Sequence, residues 1–194
     1  MGPVTADIKM LKALGALRRA LDKTGVPWMF IGGIAVVAHG IPRDTQDIDA
    51  TLWGPAIRPE ELVPLLAKAR IFPKEDDAIE AVRHTHVLRM NHRPTNVDLD
   101  IAFSWLPFER EAIDRAIAID FDGVPIRIAL PEDLIIYKSA AWRDRDRDDI
   151  ERLLALHGRT INADRVLDLV RQIGEALDDP RRVVILEQMI RDAR

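Results

Sequence analysis

The chain has 194 residues, a formal net charge of −4, 47% hydrophobic and 31% charged residues, and no cysteine. That length carries one good core or two small subdomains, and the composition is that of a folded globular chain. Disulfides and thiolate metal sites are excluded, the net charge argues against a basic coat for nucleic acid though not against a local basic groove, and no apolar run approaches the roughly 18 residues of a membrane span. We expect a cytoplasmic protein with no membrane attachment, and the charged N-terminal stretch MGPVTADIKMLKALGALRRALDK reads as a mature start without an apolar signal core.

In chain order, residues 5–24 predict a helix with Ile8, Leu11, Leu14, Leu17 and Leu21 as its apolar stripe, stopped by Gly25. WMFI (28–31) is a short apolar strand ending at Gly32-Gly33, and IAVVAHG is a short helix ending at Gly40. The polar loop IPRDTQ leads into a strand, DIDATLW, that ends at Gly54-Pro55. RPEELVPLLAKAR (58–70) predicts a helix, and HVLRMN and NVDLDIAF predict two strands joined through Pro94. PFEREAIDRAIA is a helix, and AIDFDGVPIRIA is a hairpin turning at Asp122-Gly123. From Pro131 onward PEDLIIYKSAAW, DDIERLLALHG, INADRVLDLVRQIG and DDPRRVVILEQMIRDA are four helix patterns with no strand between them. The expected fold is therefore α+β: a small mixed β-sheet with flanking helices over residues 1–130, followed by a C-terminal helical bundle over 131–194.

The chemistry lies in the acidic strands. Along DIDATLW, Ile48, Ala50 and Leu52 face one side, while Asp47, Asp49 and Trp53 face the other. In NVDLDIAF, Asp98 and Asp100 alternate in the same way with Val97, Leu99 and Ile101. Like charges gathered on one face repel unless something neutralises them, and divalent cations do this with oxygen ligands. Upstream, Gly32 and Gly33 allow close backbone approach to a phosphate, with the free N–H groups of the next helix behind them. Two ions among such acids would activate an attacking oxygen and stabilise a leaving one, which points to nucleotidyl transfer.

The motifs IGG (31–33), RDTQDID (43–49) and VDLD (97–100) resemble the nucleotidyltransferase superfamily with a DNA polymerase β-like fold. The segment DLIIYKSAAWRDRDRDDIERLLALHG is similar to the bacterial branch of AbiEii-type toxin nucleotidyltransferases. The resemblance implies that Gly32 and Gly33 hold a triphosphate, that Asp47 and Asp49 bind Mg2+ (or Mn2+), and that Asp98 is the third acid, with Asp100 open to the same role. It also implies phosphate contacts from Arg43, Thr45 and Arg143, with Thr45 holding the loop as well, and a catalytic, nucleotide-facing Lys138, while Arg143, Asp146 and Asp149 stand in partly structural positions. The partners implied are a nucleoside triphosphate, an acceptor hydroxyl on RNA (such as a tRNA 3′ end), protein or a small molecule, and a cognate antitoxin or toxin. The alternative is a nucleotide-binding regulatory module of the same fold without turnover. Within RDRDRDDIER, Asp144, Arg145, Arg147 and Asp148 otherwise read as a solvated, salt-bridged surface, with Arg143 and Asp146 left open to tying the two halves together. His84, His86 and His92 match no zinc-ligand spacing. Trp53 is placed to pack, or to stack a base.

Overall fold

The computed structural model describes residues 7–193. The part of the expected first helix at residues 5–6, and the N-terminal start before it, lie outside the described residues. The fold is α+β, with nine α-helices and a seven-stranded mixed sheet among the described residues. The chain divides into two compact units, one built from residues up to Ala38 and from Pro42 to Ala129, the other from His39–Ile41 and Leu130 onward.

In the first unit, α1 (Ile8–Asp22) starts at Asp7, whose carboxylate accepts from the Lys9 backbone N–H. Its buried stripe is Met10, Ala13, Leu14, Leu17 and Leu21, whereas Ile8 is 67% exposed: it sits in the first turn, off that stripe. Strand β1 (Trp28–Phe30) is wholly buried, and α2 (Gly32–Ala38) begins directly on the glycine pair rather than at Ile34. Strand β2 (Asp47–Trp53) follows, then α3 (Pro59–Lys68). Two elements that the sequence reading left unassigned come next: β3 (Ile71–Pro73) and α4 (Ala78–Thr85). The hairpin β4 (Val87–His92) and β5 (Val97–Ser104), α5 (Pro107–Arg115), and the hairpin β6 (Ile117–Phe121) and β7 (Val124–Ile128) complete the unit.

The strand order is β3-β4-β5-β2-β1-β7-β6. β2 runs antiparallel to β1 and parallel to β5. Ile48, Ala50, Leu99 and Ile101 are fully buried, so this central pair presents a continuous apolar face to the core. Its other face carries the acids, which remain partly accessible.

The second unit holds α6 (Pro131–Ala141), α7 (Asp144–His157), α8 (Ala163–Ala176) and α9 (Arg181–Asp192). α7 starts four residues before the expected DDIERLLALHG. Within RDRDRDDIER, the helical period sends Asp146, Asp149 and Ile150 inward and leaves Asp144, Arg145 and Asp148 exposed and Arg147 partly exposed, so those four residues make the solvated surface. Among the described residues, no helix is long and apolar enough to cross a membrane.

Candidate active site

The parallel register of β2 and β5 sets Asp47 beside Asp98 and Asp49 beside Asp100. Neighbouring strands lie about 4.8 Å apart, and residues two apart on a strand are about 6.6 Å apart. Four carboxylates therefore occupy one small patch of the sheet. Both strands also alternate buried and partly exposed positions in phase through this region, which is what puts all four on the same face.

The glycine pair closes one side of the patch. Gly32 has φ +61°, and a Cβ there would stand 1.8 Å from Asp49 Oδ2 and 2.5 Å from its Cγ. Only a residue without a side chain lets the Asp49 carboxylate lie against this turn. Ile31 N–H donates to the Asp49 carbonyl at 3.0 Å, tying the turn to β2. A Cβ on Gly33 would meet Thr45 Oγ1 at 2.7 Å and Arg43 Cζ at 3.4 Å, so the side chains of both loop residues pack on the turn. The Thr45 hydroxyl oxygen is buried there with no hydrogen-bond partner among the described residues. A buried hydroxyl without a partner costs on the order of 1–3 kcal/mol, a deficit that a ligand oxygen would remove.

The acids are not equivalent. Asp98 is held twice, by Lys74 Nζ at 2.6 Å and by Asn91 Nδ2 at 2.8 Å, and the Lys74 hydrogen bond keeps its carboxyl below the usual carboxylate range. Asp100 has no hydrogen bond or ion pair among the described residues. Burial first, then the neighbouring charges of Asp47 and Asp98, raise its pKa; Arg89 and Lys74 oppose the rise without cancelling it. Asp47 likewise carries no ion-pair partner among the described residues. Asp47 and Asp100 thus repel one another, and among the described residues neither forms an ion pair. Among the described residues, no three acidic or imidazole groups are drawn close enough for an all-protein metal cage.

Lys74 and Asn91 were missed in the sequence. Lys74 follows a strand of only three residues, too short to show a period. Asn91 was legible in principle, because the β4–β5 hairpin register sets it opposite Asp98. The histidines do not assemble: His84 is exposed on α4, His86 caps that helix and packs on Trp105, and His92 is buried against the Thr95 hydroxyl. Trp53 lies on the acidic face, with the Arg110 guanidinium 5.7 Å from its ring centroid.

Lys138 lies on α6, in the helical unit. Its ammonium is buried and meets Asp149 at 2.6 Å and Asp146 at 3.6 Å. Arg143 grips Asp146 from the start of α7 at 2.6 Å. Burial pushes the Asp146 carboxyl up, but the hydrogen bond from Arg143 and the charges of Lys138 and Arg143 outweigh it and hold the group below its ordinary range. These four residues form one internal network in that unit.

The raised pKa of Asp100 gives a signed expectation. A carboxyl whose folded pKa exceeds its unfolded value contributes stability below the unfolded pKa and loses it as pH rises through the folded one. At neutral pH the Asp100 charge is therefore a cost, and Asp100→Asn should raise Tm by about 1–3 °C at pH 7. The gain should vanish near pH 3.5 in metal-free buffer. A variant melting below wild type at pH 7 would show that Asp100 is satisfied rather than strained.

Comparison with known proteins bears on the family and the fold. The family model described as nucleotidyltransferase of unknown function (DUF6036) matches residues 8–175. A search of curated proteins found no match. The solution structure of the antibiotic-resistance factor ANT(2″)-Ia superposes with a TM-score of 0.57 at 19% identity, covering 94% of this chain and 97% of that one. A crystal structure of ANT(2″)-Ia with adenylyl-2″-tobramycin also gives 0.57 at 19% identity, over 87% of this chain and 98% of that one. An antigenic nucleotidyltransferase-like protein from Paracoccidioides brasiliensis gives 0.51 at 16% identity, over 89% and 91%. At these identities the solved structures speak for the fold alone.

Proposed function

Because the chain belongs to the nucleotidyltransferase family DUF6036, we propose that its acidic patch transfers a nucleoside monophosphate from a triphosphate to an acceptor hydroxyl, with Mg2+ as cofactor. The observation that carries this reading is the register of two Asp-x-Asp pairs on adjacent parallel strands, with Asp49 against Gly32. The donor set fits the ion. Mg2+ is usually bound by one or two carboxylates together with substrate phosphates and waters rather than by a full protein cage, and Asp47 and Asp49 offer two carboxylates beside a glycine turn. When bound there, the ion would neutralise charge on the reacting phosphate and on the leaving pyrophosphate.

The residues of the chain divide the remaining work. The Gly32-Gly33 backbone and the Thr45 hydroxyl hold phosphate oxygens, and Arg43, packed on the same turn, adds positive charge to that end. Asp100, whose raised pKa makes it the more basic carboxylate, accepts the proton of the acceptor hydroxyl as its oxygen attacks the α-phosphorus and the bond to pyrophosphate breaks. Asp98, already committed to Lys74 and Asn91, positions β5 rather than moving the proton. This reverses the order of preference taken from the motif alone, and the ground is the hydrogen-bonding of the two acids. Catalysis of this kind is mainly positioning and charge neutralisation.

The acceptor follows from chemistry on both sides of the resemblance: an RNA or protein hydroxyl as in the toxin-like branch, or a small hydroxyl compound such as the aminoglycoside of the ANT(2″)-Ia complex. The test is incubation with α-labelled triphosphates, Mg2+, total RNA, lysate protein and aminoglycosides. Asp47→Asn and Asp49→Asn should each lower label transfer at least about 100-fold while leaving the melting midpoint unchanged or higher. They should also abolish the heat of Mg2+ titration in the presence of a non-hydrolysable triphosphate. Transfer retained in either variant would refute the roles given to these acids. Mg2+-dependent triphosphate binding with no labelled product under any acceptor would favour the regulatory module instead.

A further inference from the structure

The face of the sheet turned away from the acids carries a second feature. Asn91 and Asp98 share the acidic face, so His92 and its partner Val97, one position along, lie on the other. There α1, the end of α3 and the β6–β7 turn enclose a groove of about 840 Å3, with His92 in its wall. Six cationic side chains line it, Lys12, Arg18, Arg19, Lys23, Lys68 and Arg70, and no carboxylate does. Arg18 is paired with Asp22 at 3.1 Å, whereas the other five have no ion-pair partner among the described residues.

This is an unusual use of charge in a chain whose formal net charge is −4. Basic residues on helices normally interleave with acids, as they do on α5, where Arg110 pairs with Asp114. Here five like charges share a cleft, and such clefts focus the field. His92 reports that field from inside: it is 6% exposed, and burial, then the charges of Arg19 and Arg70, push its imidazole pKa down. Gly15, Ala16 and Ala20 keep the surface of α1 low between the cations, which is what makes a trough. From Lys12 to Lys23 the charges extend along about 16 Å of helix axis, at 1.5 Å per residue. They are strung out rather than converging on a point, which suits repeated phosphates along a chain better than one phosphate. No phenylalanine, tyrosine or tryptophan lines the groove and the His92 ring is buried in its wall, so the groove offers contacts to phosphates rather than a stacking platform for bases.

We propose that this groove docks single-stranded nucleic acid by its phosphates, on the opposite side of the sheet from the acids. It is independent of nucleotidyl transfer, because neither the acids nor a triphosphate takes part in it.

The test is fluorescence anisotropy with labelled RNA and DNA strands of about 12 nucleotides, without Mg2+ or triphosphate. Saturable binding is expected in roughly the micromolar range at low salt, with log K falling against log salt at a slope of about −0.7 per phosphate engaged. Lys12→Glu with Arg19→Glu, and separately Lys23→Glu with Lys68→Glu, should each weaken binding at least about tenfold. Arg159→Glu with Arg181→Glu, which changes net charge equally on exposed residues of the helical unit, should change it less than about threefold. Circular dichroism checks folding, and if one double variant misfolds the other decides. Binding should also raise the His92 pKa seen by NMR, and Asp49→Asn should bind as wild type. No binding, equal loss in the control pair, displacement by inorganic phosphate at matched phosphate concentration, or binding of polyphosphate but not of either oligonucleotide would each overturn the proposal.

Discussion

Gly32→Ala should abolish transfer and destabilise the protein together. The added Cβ would sit 1.8 Å from Asp49 Oδ2, 2.5 Å from Cγ and 2.7 Å from Cβ. The clash involves the root of the side chain as well as its tip, so rotating the carboxylate alone cannot relieve it. The backbone at φ +61° adds about 1–2 kcal/mol for any residue with a Cβ. Together these predict a loss of about 2–4 kcal/mol in denaturant unfolding. Whatever shift relieves the contact moves Asp49 by an ångström or more, and misplacement on that scale costs on the order of 100-fold in rate. Melting with and without Mg2+ and a non-hydrolysable triphosphate separates the two effects, because the ligand-induced rise in Tm should disappear as well. A variant that melts and transfers like wild type would remove the glycine turn from the site.

The second large effect belongs to the helical unit. Lys138→Met keeps the length of the side chain but withdraws its charge from Asp149 and Asp146, whose side chains are only 5% and 3% exposed. Breaking a buried ion pair by removing one partner costs about 3–5 kcal/mol, because the remaining charge is left in a poor environment. The pH dependence follows. In the wild type, Asp146 has a depressed pKa, so its contribution is present above the unfolded pKa and is lost as pH falls through the folded one. Without Lys138, Asp146 keeps its hydrogen bond from Arg143 but loses the lysine's charge, so part of its depression goes and it is more easily protonated, and the gap in stability between variant and wild type should narrow as pH falls toward 4. Urea unfolding at pH 7 and pH 4.5 measures both. The motif resemblance gives Lys138 a different task, meeting the triphosphate. Were that its main work, the variant would unfold like wild type and show a raised KM for the triphosphate.

The pattern of residues was enough to place much of the candidate site. Strict alternation in DIDATLW and NVDLDIAF put four acids on strand faces away from the core, because a side chain period of two leaves no other arrangement once Ile48, Leu99 and Ile101 are buried. The glycine pair was equally legible, since few sequences tolerate two glycines between a buried strand and a helix without a ligand or a close contact to account for them. The α+β order followed from the change of period after Pro131.

What alternation cannot give is which strands are neighbours and at what offset. That β2 and β5 lie side by side, with Asp47 level with Asp98, depends on a crossover connection of some forty residues, and long-range pairing has no local signature. The same holds for inequality among like residues. Asp98 and Asp100 are interchangeable in the motif, and only Lys74, brought in from the three-residue strand β3 and its turn, makes one of them a held anion and leaves the other strained. Lys138 and the basic groove make the same point. A charge reads identically in a sequence whether it meets water, a buried carboxylate or five other cations, because its energy is set by burial and by neighbours distant along the chain.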